Sequence, residues 1–163
     1  MRKLITVVIV LVLAAAGSWL MFSPKEPAPA VTFDTLSGEK ITMASLQGKV
    51  VLVKFWATSC VTCVKQMPDT VALYDKYHRD GLEVIAVAMS YDPVNYVKQF
   101  TTSRQLPFTV AIDGDGSVAK AFDDVKLTPI AFLIDRQGNI VKRYLGNYDK
   151  QDMQENLEAA LVG

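Results

Sequence analysis

The chain has 163 residues, enough for one ordinary domain and an appendage. Its 17 basic and 17 acidic residues cancel. Setting aside residues 1–30 removes Arg2, Lys3, Lys25 and Glu26 and leaves 14 basic against 16 acidic residues, so there is no basic excess of the kind nucleic-acid binding requires. Two cysteines in so long a chain make no disulfide scaffold, and point to reactivity rather than stapling.

Residues 1–3 form a short basic N-terminus. Leu4 to Phe22 is an uncharged, mostly apolar run, long enough to cross a bilayer core of roughly 30 Å as a helix. Positive charge before it predicts a cytoplasmic N-terminus, with the rest of the chain sent across. A cleavable signal peptide is the alternative, with Ala14-Ala15-Ala16 or Ala28-Pro29-Ala30 as small-residue processing sites. Residues 23–30, with three prolines, read as an extended spacer with no further role.

Residues 31–163 read as the globular domain. Val31–Phe33 and Glu39–Thr42, joined across Ser37-Gly38, predict a short hairpin, and Met43 to Gly48 a brief helical turn. Lys49–Trp56 is apolar on both faces except at Lys54, the pattern of a central buried strand. A helix pattern begins at Cys60, with Cys60, Val64, Met67, Val71 and Tyr74 as its inward stripe and Pro68 as a kink. Leu82–Met89 is a second buried strand. Asp92-Pro93 predicts a helix start with Asp92 as N-cap, followed by the stripe Val94, Val97 and Phe100. Phe108–Ile112 is a third strand. The turn Asp113-Gly114-Asp115-Gly116 and a short helix near Val118–Phe122 follow. Ile130–Ile134 and Ile140–Leu145 form a hairpin around Arg136–Asn139, and Asp149 starts the last helix, with Met153, Leu157 and Leu161 facing inward. Strands alternating with helices and ending in a hairpin predict an α/β fold: a mixed central sheet with helices on both faces.

Within this frame Cys60-Val61-Thr62-Cys63 stands where a buried strand hands over to a helix. A thiol at a helix N-terminus meets unpaired N–H groups and the positive end of the dipole, which favour the thiolate. A second thiol one turn on can attack a disulfide formed at the first. The pattern predicts dithiol–disulfide exchange.

The residues Trp56-Ala57-x-x-Cys60-x-x-Cys63 with Pro68, and Thr128-Pro129 before a strand hairpin, resemble the thioredoxin fold. The apolar N-terminal run, the N-terminal hairpin, Leu46-x-Gly48-Lys49 and the added strand and helix of Leu82–Gln105 narrow the resemblance to membrane-anchored TlpA/ResA-type thiol–disulfide oxidoreductases. That resemblance implies Cys60 as attacking thiol and Cys63 as resolving thiol. It also implies Trp56 beside the site and Thr128-Pro129 as a cis-proline turn where a substrate chain docks. No cofactor or metal is implied. The implied setting is an inner membrane with the domain facing the periplasm, electrons from a membrane thiol transporter of the DsbD/CcdA kind, and apocytochrome or copper-chaperone thiols as substrates.

The sequence departs from that family at three places. Ser59 stands where tryptophan is common, Lys54 where thioredoxins carry a buried aspartate, and Gln66 where ResA-type proteins carry a glutamate. Lys54 and Gln66 are therefore candidates for tuning the thiol pKa. Lys54 either points toward Cys63, where its charge would lower the thiol pKa, or snorkels to the sheet edge.

Other chemistries fit less well. No histidine follows Cys63 as haem attachment needs, and two cysteines with the single histidine, His78, fall short of a structural zinc site. Two thiolates suit Cu(I), so a copper-handling role is a second reading. A peroxiredoxin-like peroxidase is a third, although Ala57 occupies the place of the expected threonine before Cys60. Asp113-x-Asp115-x-Ser117 has the outline of a calcium loop, but Val118 stands where glycine is needed, and a simple turn is expected.

Overall fold

A computed structural model describes residues 25–163; the predicted membrane segment, residues 4–22, lies outside them. Five strands form the central sheet in the order β5-β4-β3-β6-β7. These are β3 (Val50–Trp56), β4 (Leu82–Ala88), β5 (Thr109–Ile112), β6 (Ile130–Ile134) and β7 (Ile140–Leu145). Strands β3, β4 and β5 run parallel, β6 lies antiparallel to β3, and β7 lies antiparallel to β6, which makes the sheet mixed. A separate small hairpin pairs β1 (Thr32–Asp34) with β2 (Lys40–Thr42). A 3-10 turn, Met43–Leu46, follows it, capped by the Thr42 hydroxyl on Ser45 N–H.

Strand β3 is central because every one of its residues is buried, as a strand packed on both faces must be. Its alternation divides the core. Val50, Leu52 and Trp56 belong to one apolar cluster, with Cys63 and Met67 of α1 (Val61–Tyr77), Val97 of α2 (Val94–Arg104), and Met153 and Leu157 of α4 (Lys150–Val162). Val51, Val53 and Phe55 belong to the other, with Phe33, Val118 and Ala119 of α3 (Ser117–Ala121), Phe122 and Phe132. Helices therefore cover both faces, as expected.

Three expectations change here. Helix α1 contains Pro68, as expected, but its innermost residues are Cys63, Gln66, Met67, Thr70 and Tyr77. The predicted stripe of Cys60, Val64, Val71 and Tyr74 is only half-buried, because the true inward face is rotated toward two polar residues. The N-cap of α2 is Pro93, with no side-chain cap bond, and Asp92 turns elsewhere. The proline-rich segment is not a free spacer: Ile140 N–H donates to Glu26 O at 2.7 Å, Ala28 N–H donates to Gly138 O at 2.9 Å, and Lys25 pairs with Asp135 at 2.8 Å. The turn after β5 is a simple turn, as expected, with the Asp113 carboxylate accepting from Val118 and Ala119 N–H.

Candidate active site

Strand β3 ends at Trp56, and four residues later Cys60 forms the N-cap of α1 in extended backbone, φ −86°. Its Sγ accepts the N–H of Cys63 at 3.1 Å. The two sulfurs are joined as a disulfide, with the Cα atoms 5.2 Å apart. Cys63 is completely enclosed, while Cys60 is partly exposed beside solvent-facing Ser59 and Val61. Only Cys60 is open to a partner's sulfur. When the disulfide opens, the Cys60 thiolate keeps a backbone donor and the positive end of α1, which is how a thiol pKa is lowered.

The loop before Cys60 is fastened from the turn that precedes α2. Thr58 donates its N–H to one oxygen of Asp92 and its hydroxyl to the other, both at 2.6 Å, and Asp92 is buried. One residue supplies both donors, so the carboxylate is better satisfied across the loop than at the start of its own helix. No local signal marks this role, because the partners stand 34 residues apart.

The Thr128-Pro129 peptide is cis. Antiparallel pairing of Phe55 with Ile130 brings this turn alongside the end of β3 from which the cysteine loop springs. Pro129 is buried and Thr128 half-buried, with its hydroxyl 3.4 Å from that of Tyr91. Beside the turn, Tyr91 and Leu127 are exposed apolar side chains, and Val61, the residue after Cys60, is exposed as well. Trp56 is not among the residues a substrate can touch. Its side chain is fully enclosed and packs on Phe100 at 5.1 Å, so it supports the loop from below.

Lys54 does not snorkel. It is fully buried on the α1 side of β3, between Leu52 and Trp56 in the alternation. Its Nζ donates to Gln66 Oε1 at 3.0 Å and to Thr70 Oγ1 at 3.3 Å, and sits 5.5 Å from the centre of the Tyr148 ring. Burial pushes its pKa down from the ordinary 10.5 to about 8, against a smaller upward pull from the Asp69 carboxylate. Burial likewise pushes the Tyr148 phenol up. Gln66 Nε2 donates to the carbonyl of Gly146 at 2.9 Å, and Gly146 N–H donates to Pro129 O at 2.9 Å. Gly146 has φ +66°, a left-handed conformation that glycine adopts without a Cβ penalty. The structure thus links the two tuning candidates, Lys54 and Gln66, to the cis turn. Thr70, Gly146 and Tyr148 were not anticipated, since each reads as an ordinary helix or loop residue.

A buried strand, a cysteine pair at a helix start with one sulfur exposed, and a cis-proline beside it define a thioredoxin-fold thiol–disulfide exchange protein. The redoxin family model matches residues 23–161, and the chain belongs to that family. It is 34% identical over 167 aligned positions to the thiol-disulfide oxidoreductase ResA of Bacillus cereus, covering 96% of this chain and 95% of that one. The solution structure of a candidate thioredoxin from Neisseria meningitidis superposes with a TM-score of 0.79 at 35% identity, over 85% of this chain and 92% of that chain. A thioredoxin-family thiol:disulfide interchange protein from Chlorobium tepidum gives a TM-score of 0.77 at 26% identity, over 85% and 98%. The protein is a thiol–disulfide oxidoreductase of ResA type.

Proposed function

We propose that this oxidoreductase works in the reducing direction on protein disulfides outside the cytoplasm. Cys60 attacks a substrate disulfide, a mixed disulfide forms, and Cys63 resolves it. The observation that carries this order is the asymmetry of the pair: Cys60 is reachable at the start of α1, and Cys63 is enclosed beneath it. An extended substrate segment docks at Thr128-Pro129, with Val61, Tyr91 and Leu127 as its apolar surround.

The setting follows from the sequence. The apolar run Leu4–Phe22 behind Arg2 and Lys3 anchors the domain in the inner membrane, on the periplasmic side. A dithiol held there needs an electron source, which is a membrane thiol reductant of the DsbD/CcdA kind. Apocytochrome and copper-chaperone disulfides are the substrate classes, which places the protein in cytochrome c maturation or copper-site assembly.

The test is the redox potential of the Cys60–Cys63 pair, measured beside insulin-disulfide reduction. A strongly reducing potential with turnover is expected. A potential in the oxidising range reverses the direction, and tight Cu(I) binding without turnover replaces it with metal delivery.

A further inference from the structure

Lys54 is buried with no carboxylate of its own. The groups that face its ammonium are Gln66 Oε1 and Thr70 Oγ1 from α1 and the Tyr148 ring from the loop before α4, all neutral. The carboxylate that acts on it, Asp69 of α1, is taken up by Lys150 of α4 at 2.8 Å. An enclosed ammonium with only neutral partners is costly, and an anion in the same enclosure would offset that cost. One turn before Gln66, on the same inward face of α1, is Cys63, which becomes anionic in the course of exchange.

The orientation of Gln66 is chemically fixed. An ammonium only donates, so the amide oxygen must face Lys54; a backbone carbonyl only accepts, so the amide nitrogen must face Gly146. Gly146 N–H then donates to the carbonyl of the cis-proline. An unbroken line of hydrogen bonds runs from the buried cation to the docking turn. A glutamate at position 66 would pair with Lys54 and leave the Gly146 carbonyl without a donor.

We propose that Lys54 and Gln66 are one positioning unit for the exchange reaction: the ammonium stabilises the Cys63 thiolate, and Gln66, held in one orientation by it, ties the cysteine helix to the cis-proline turn. This rests on Cys60 attacking and Cys63 resolving. The Cys60 thiolate bonds to one substrate sulfur, the substrate S–S bond breaks, and the departing sulfur takes a proton from solvent. Cys63 then loses its proton, attacks Cys60 Sγ, and displaces the second substrate sulfur, which takes up a proton. Two electrons pass from the dithiol to the substrate, and the dithiol's two protons are balanced by those on the two substrate thiols. Lys54 lowers the cost of the Cys63 anion in the second step.

The experiment compares wild-type, Lys54→Met and Gln66→Leu proteins. Each is reduced and titrated by thiolate absorbance, equilibrated against glutathione, and assayed on insulin. In Lys54→Met the proton affinity of the buried thiol rises about tenfold, and at a pH high enough to ionise that thiol in both proteins the reduced form loses about tenfold in the exchange equilibrium, a potential lower by about 30 mV. Its kcat falls while KM holds. In Gln66→Leu the titration moves less than about twofold and KM rises instead, because the cation remains and the tether is cut. Lys54→Gln, polar but uncharged, follows Lys54→Met in the titration and serves in its place if that variant does not fold. A Lys54→Met titration and equilibrium within about twofold of wild type overturn the proposal. So do variants that lose thermal stability and nothing else. A wild-type protein that fails to reduce insulin defeats the reducing direction, while the titration still decides the role of Lys54.

Discussion

Strand β3 sends Val51, Val53 and Phe55 to one side of the sheet and Leu52, Lys54 and Trp56 to the other. The first side is closed by apolar contacts: Phe55 meets Phe122 and Phe132 edge-on at 5.5 and 6.1 Å, under the hairpin and α3. The second is closed by three helices and encloses a lysine, a glutamine, a threonine and the Cys63 half of the disulfide. Burial of the lysine, the glutamine and the threonine is tolerated there because each finds a hydrogen-bond partner. One strand thus supplies an inert wall and a reactive wall one residue apart. Apolar packing alone closes the first, and the adjustable chemistry lies on the second.

The largest effect that separates them is loss of the dithiol. Cys60→Ser lowers insulin-reductase turnover by at least about a thousandfold, the scale of losing a nucleophile. Cys63→Ser accumulates a mixed disulfide through Cys60, visible by mass spectrometry; a complex formed only through Cys63 in the Cys60→Ser protein would reverse the roles. On the opposite wall, Phe55→Ala costs about 3–5 kcal/mol of stability and leaves the redox potential unmoved, read by denaturation and glutathione equilibration. A changed potential in that variant would erase the distinction between the walls.

Lys54 gives a signature in pH. Its folded pKa of about 8 lies below the ordinary 10.5, so the native state holds its proton less tightly than the unfolded chain. The contribution of this residue is fully present above 10.5, declines as pH falls through that interval, and is gone below about 8. Between pH 7 and pH 10.5, denaturant unfolding of the oxidised protein should gain roughly 3 kcal/mol relative to Lys54→Met. A flat difference would show that the amine is not held as described.

A smaller effect lies at the Asp92 clamp. Asp92→Ala removes a charged acceptor from two Thr58 donors, costs about 1–3 kcal/mol, and lowers kcat/KM several-fold by loosening the loop before Cys60. Smallest is Lys25→Ala, which breaks a pair whose lysine is 64% exposed. It changes the melting free energy by less than about 1 kcal/mol with no change in activity.

Much of this was legible in the chain. The β3 run, the cysteine spacing and the two hairpins rest on short-range patterns that survive into the structure, and the cis turn is what the family resemblance implies. The inward face of α1 was misread because Gln66 and Thr70 look like surface residues; only a lysine arriving from β3 makes their burial acceptable. Asp92 was assigned to its own helix because capping is a local rule, whereas its true donors come from the far side of a strand and a helix. The docking of residues 26–28 was hidden for the same reason, since their partners are backbone groups of a turn more than a hundred residues away.

That docking sets the direction in which the domain faces. The segment lies against the β6–β7 turn, and Ile134 at that end of β6 pairs with Val51 near the start of β3. The cysteines lie past the other end of β3, a strand of seven residues and therefore about 20 Å away. The polypeptide enters the domain at one pole and exposes its reactive sulfur at the other. Under the anchored arrangement proposed above, the dithiol leads into the surrounding compartment instead of hugging the lipid. In that arrangement a soluble partner would meet the sulfur head-on, whereas a donor embedded in the membrane would have to reach past the length of the domain.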